Sequence, residues 1–113
     1  MKIGKEMLKG YVDIIILSSL YCEDLYGYEL ARRVKLRTDG NFELKEGTLY
    51  LALKRLEQAG LIEAYWGAEN SGGRRKYYRL LPDGWRDLSK RKREWVLLKD
   101  IIDLFMSDVE TDG

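Results

Sequence analysis

Between Glu46 and Gly60 the apolar positions fall at helical spacing: Leu49, Leu53 and Leu56 are four and three residues apart, and Ala52 and Ala59 widen the stripe. The opposite face carries Thr48, Tyr50, Lys54, Arg55 and Gln58, so the pattern predicts an amphipathic helix with a donor-rich outer surface that ends at Gly60. Upstream, Leu30, Ala31 and Val34 face inward and Tyr28, Arg32, Arg33 and Lys35 outward on a second helix over about 26–37. The turn formers Thr38, Asp39, Gly40 and Asn41 separate the two helices, and Asp24 caps the start of the second within a turn over 22–25. A first helix over about 6–21 is apolar on more than one face through Met7, Leu8, Tyr11, Val12, Ile14, Ile15, Leu17 and Leu20, which predicts burial on two sides.

Downstream the period changes. LIEAYW and RRKYYRLL are strand-like runs on either side of AENSGG, predicting one hairpin, with Trp66 and Trp85 packing its base. Pro82 suits the first turn of a last helix over about 82–108. At 1.5 Å per residue that helix is about 40 Å long, more than so small a core needs. Trp85, Leu88, Trp95, Leu98, Ile102 and Phe105 approximate a heptad seam along it. The expected architecture is therefore mainly α with a small β-hairpin. A winged helix-turn-helix occupies residues 1–81, with its wing at about 61–81, followed by a long C-terminal dimerisation helix over 82–108 and an acidic tail over 109–113.

Charge sharpens this picture. The 113 residues carry a formal net charge of only +1, but Arg74–Arg93 is strongly basic and Asp100–Gly113 contains acids alone. The basic middle suits a phosphate backbone, and the acidic end should face away from it. The single cysteine, Cys22, precludes an intramolecular disulfide, and the absence of histidine removes the commonest general base and metal ligand. No catalytic residue, metal site or cofactor is expected. No signal peptide or bilayer-spanning run is expected either, which points to the cytoplasm and no membrane partner.

The candidate chemistry is recognition of double-stranded operator DNA. Thr48 and Tyr50 stand near the start of the reading helix, and Lys54 and Arg55 suit phosphates. Gly73 and its neighbour Gly72 permit a tight reversal that delivers Arg74, Arg75 and Lys76 to the backbone or a narrow minor groove. With about four cationic contacts per half-site, a dimer neutralises roughly eight phosphates and shows a log–log salt slope near −7. Trp95 lies on the seam, where two-fold symmetry pairs it with its copy. Such a pair either clamps a planar aromatic ligand or packs an ordinary dimer core.

LYGYEL at Leu25–Leu30, EGTLYLALKRLEQAGLIEAYW at Glu46–Trp66 and GGRRKYYRLL at Gly72–Leu81, in this order and spacing, resemble the PadR family of bacterial transcriptional regulators. The short, single C-terminal helix is similar to the small subfamily, and KEMLKG, SGGRRKYYRL and Trp95 followed later by DII are similar to its multidrug-binding members that repress a multidrug ABC transporter. The resemblance implies a homodimeric repressor whose first and last helices enclose a flat channel for planar aromatic effectors. Trp95 would stack on the ligand, with Met7, Gly10, Asp13, Ile14 and Leu98 lining the channel. Lys99 stands where those relatives have an acid and Asp13 where they have a neutral amide, which alters the charge offered to a ligand. Two alternatives stand beside this reading: a winged-helix protein-interaction module without DNA binding, and a repressor whose channel is filled by its own side chains.

Overall fold

The computed structural model describes residues 10–68 and 73–113. Its elements run α1 (Val12–Cys22), β1 (Leu25–Tyr26), α2 (Gly27–Arg37), α3 (Glu46–Gln58), β2 (Ile62–Trp66), β3 (Lys76–Leu80) and α4 (Pro82–Met106). The architecture is the expected winged helix-turn-helix followed by one long helix.

The core is built from the periodic positions. Ile16, Leu17 and Leu20 of α1, Leu30 and Val34 of α2, and Leu49, Ala52, Leu53 and Leu56 of α3 are buried together with Leu25, Leu44, Ile62 and Tyr78. Ala59 is exposed beyond the end of α3 and does not widen its stripe. The helix stops there in a Schellman motif: Leu61 N–H donates to the Leu56 carbonyl at 3.1 Å and Gly60 N–H to that of Glu57 at 3.0 Å, while Gly60 takes φ +75°. The end of α2 repeats the motif with Asp39 in the left-handed position, at φ 51°. Thr38 Oγ1 braces it by bonding the Val34 carbonyl at 3.0 Å and accepting the Phe42 N–H at 3.1 Å.

Three expectations about the local structure need correction. The sheet has three antiparallel strands in the order β1-β3-β2, not two. Leu25 pairs with Tyr78 and Tyr26 with Tyr77, so the segment read as a turn adds a short third strand to β3. Asp24 does not cap α2; it accepts a hydrogen bond from the Tyr65 hydroxyl on β2. Gly10 has φ +87° and α1 begins at Val12, so the first helix does not run through from Glu6; residues 6–9 lie outside the described residues.

Trp66 and Trp85 are 58% and 52% exposed, so neither forms the base of the wing. That position is held by Gly84, where an added Cβ would run into the Leu61 carbonyl. The missing side chain thus lets the first turn of α4 lie directly on the backbone entering β2. From there α4 leaves the core. At 25 residues it is about 38 Å long. It stretches the molecule to 55 × 30 × 21 Å, with a radius of gyration of 16.2 Å against about 13 Å for a compact chain of this length.

Candidate nucleic-acid interface

The outer face of α3 is open. Thr48 and Lys54 are exposed, and so is Tyr50, whose ring nonetheless leans on the start of α2: a Cβ on Gly27 would overlap its hydroxyl. Arg55 behaves differently from its neighbours. Its guanidinium is paired with Asp13 at the start of α1. The structure thus joins a residue expected on phosphates to one expected in the ligand channel.

On the wing, Gly73 has φ +85° and is exposed; the reversal expected at Gly72 and Gly73 falls largely on residues 69–72, outside the described residues. The three basic residues that follow are each backed by an aromatic ring. Arg74 lies 5.6 Å from the centroid of Trp66, Arg75 lies 4.7 Å from that of Tyr26, and Lys76 lies 5.7 Å from that of Tyr78. Tyr26, Tyr77 and Tyr65 form a row across the sheet, with Tyr26 edge-on to Tyr77 at 5.5 Å and Tyr65 stacked on Tyr77 at 5.7 Å. Rings placed beneath a guanidinium limit its rotamers and leave its edge to donate hydrogen bonds. The sequence reading missed this backing, although the aromatic residues of the AYW and KYY runs carried a hint of it.

Other basic residues are engaged within the chain. Arg32 and Arg33 of α2 both reach Glu29, and Arg79 pairs with Glu63 across the strands. Bonding to Glu29 and to Glu63 raises the pKa of Arg32 and Arg79 respectively, keeping both fully charged. The Arg79–Glu63 pair is exposed and contributes little to stability, whereas Glu29, only 17% exposed, holds its two arginines more firmly; both acids reduce the positive field around the cations they engage.

The described residues expected around a ligand lie on α1, just before it, and on α4. Trp95 is 46% exposed and meets Tyr11 edge-on at 5.6 Å. A cleft of about 490 Å³ runs beside it, lined by Ile14, Tyr21, Trp85, Leu88, Arg91 and Trp95 among others. Of the expected lining residues that are described, Ile14 and Trp95 border this cleft and the others do not. Gly10 and Leu98 are exposed, and Asp13 is turned to Arg55. Lys99 bonds Asp103 at 3.0 Å along α4, which raises its pKa and keeps it charged. Met7 lies outside the described residues. Trp85 and Leu88, which the sequence places on the heptad seam, also line the cleft. Among the described residues there is no cluster able to hold a metal and no helix long and apolar enough to cross a membrane.

A helix-turn-helix with an open donor face, continued by a wing whose cations are aromatic-backed, defines the chain as a DNA-binding transcriptional regulator of the winged-helix class. Residues 16–90 match the PadR-like family of transcriptional regulators. The chain belongs to the PadR family. A transcriptional regulator from Clostridium thermocellum has a similar structure, with a TM-score of 0.81 and 42% identity, covering 89% of this chain and 98% of that one. A PadR family transcription regulator from hypervirulent Clostridium difficile is 48% identical with a TM-score of 0.76, covering 86% of this chain and 99% of that one. An uncharacterized protein of Lysinibacillus sphaericus is 43% identical over 108 residues, which is 96% of this chain and 99% of that protein. Members of this family regulate transcription and are not enzymes.

Proposed function

We propose that the chain is a homodimeric repressor that releases its operator when a planar aromatic effector enters the space between α1 and α4, and that it controls an efflux or stress gene from the cytoplasm. In this reading residues 1–81 bind DNA, residues 82–108 dimerise and residues 109–113 form the acidic tail. Thr48 and Tyr50 face the groove, while Lys54, Arg74, Arg75 and Lys76 hold phosphates. Gly73 provides the reversal at the wing tip. Trp95 stacks on the effector beside Ile14, Met7, Gly10, Leu98 and Lys99.

One observation carries the dimer. Val96, Leu97, Leu98, Ile101, Ile102, Leu104, Phe105 and Met106 on the outer half of α4 are each 42% exposed or more. An apolar surface this continuous is unfavourable in water and calls for a partner, and a second copy satisfies it by two-fold symmetry. Dimerisation would also fix the separation of the two α3 helices, as reading two half-sites requires.

A variant of this reading is favoured by the edge contact of Tyr11 on Trp95. There the same repressor fills its channel with its own side chains and takes no effector.

Sedimentation equilibrium and a gel shift on the protein's own promoter test the proposal together. A dimer that binds with a salt slope near −7, and that planar dyes both quench at Trp95 and release from DNA, supports the full reading. A monomer at high concentration, or binding indifferent to salt, overturns it. Dyes that neither quench nor release leave the filled-channel variant.

A further inference from the structure

Asp13 is in the first turn of α1 and Arg55 in the last turn of α3, yet the carboxylate accepts from Arg55 Nη2. The same carboxylate faces Arg91 Nη2 of α4 at 4.0 Å. Arg91 in turn donates through Nε to Asp87 at 2.5 Å. One acid therefore stands where three helices meet, between a guanidinium of the DNA-reading helix and one of the long helix.

The exposures are unequal. The Asp13 side chain is only 17% exposed, whereas Arg55 is 59% and Arg91 29% exposed. A carboxylate that has lost most of its water needs cationic partners, and withdrawing one is far more costly than breaking a pair in open solvent. Were Arg55 to swing out to a phosphate, Asp13 would be left with Arg91 alone, which is more distant and already engaged by Asp87.

We propose that Asp13 is a positioning residue: it holds Arg55 back from the DNA and uses it to fix α3 against α1 and α4. The proposal rests on the reading of α3 as the groove-facing helix. It changes the role of Arg55 from phosphate contact to internal tether. Because α4 sets the spacing of the two subunits, Asp13 then links that spacing to the angle at which each α3 is presented. A shift of α4 along α1 alters how the acid is divided between Arg55 and Arg91, and with it the hold on α3.

The test is the salt dependence of binding to a short duplex, followed by fluorescence anisotropy, for Arg55→Gln, Asp13→Asn and the two combined. Arg55→Gln keeps the wild-type slope, because that guanidinium touches no phosphate. Asp13→Asn releases Arg55 and steepens the slope by about 0.9 per chain. The combined variant returns to the wild-type slope. A flattened slope in Arg55→Gln, or a steepening by Asp13→Asn that persists without Arg55, overturns the proposal.

Urea denaturation of Arg55→Gln, Arg91→Gln and the pair supplies a second route that needs neither DNA nor an Asp13 variant. Two partners of one carboxylate give a combined loss larger than the sum of the single losses, and simple additivity overturns the proposal. Failure of the DNA reading would look different: Lys54→Ala and Arg74→Ala would bind like wild type while the urea coupling stayed intact.

Discussion

Gly27 and Tyr50 interlock, the Tyr50 hydroxyl filling the space that a Cβ on Gly27 would need. Gly27 is the first residue of α2 and is buried, so the contact joins the two helices of the helix-turn-helix at their N-terminal ends. Alanine normally strengthens a helix relative to glycine by about 0.5–1 kcal/mol. Here Gly27→Ala must push aside the Tyr50 ring, which is 43% exposed and can swing outward, so that gain should be cancelled or reversed by up to about 1 kcal/mol, read from the urea midpoint. In a Tyr50→Ala background the same substitution should become neutral or stabilising.

The aromatic backing of the wing separates charge from orientation. Trp66→Ala leaves Arg74 charged but removes the ring beneath it, worth about 0.5–1 kcal/mol at an exposed site. DNA affinity should fall roughly 2- to 5-fold with the salt slope unchanged. Arg74→Ala should lower the affinity and also flatten the slope by about 0.9 per chain. Equal slopes in the two variants would show that Arg74 does not reach a phosphate.

The end of α2 contains a correctable strain. Asp39 occupies a left-handed conformation at φ 51° where glycine is the usual residue. Asp39→Gly relieves that strain but frees the unfolded chain, and the net gain should be about 0.5 kcal/mol. Thermal denaturation should show a rise of a few degrees, without change in DNA binding.

Alkaline pH should loosen the sheet. Donation to Asp24 raises the Tyr65 phenol above its ordinary pKa of 10.0. Burial, followed by the nearby charge of Glu57, raises Tyr78 above the same value. The folded chain therefore keeps these protons after the unfolded chain has begun to lose them. Stability should be fully present below about pH 10 and fall as pH rises through the folded-state values. Urea midpoints measured across this range should decline, and Tyr65→Phe should make the decline shallower.

The long helix should fail as an association surface when charged. Ile101 and Phe105 lie one turn apart on its exposed apolar half. Glutamate at both positions should convert dimer to monomer in sedimentation and weaken operator binding on the order of 10-fold or more, because the two reading heads no longer bind as one unit.

The sequence by itself determined the helices that carry strong periodicity. The α3 stripe, its glycine stop, the proline start of α4 and the basic reversal of the wing are local signals, each readable within a few residues. It also determined that cations crowd the wing and that the outer half of α4 is strongly apolar.

Tertiary structure decided the rest, because those relationships join residues far apart in the chain. β1 has only two residues, too few to show an alternating pattern, and exists because β3 offers it a partner. Asp24 looked like a helix cap until the fold brought Tyr65 to it. Arg55 reads as one more exposed cation on α3, and only the packing of α1 across that helix supplies the carboxylate that claims it. Periodicity reveals which face of an element is buried, whereas the partner of a charged side chain is set by how the elements cross.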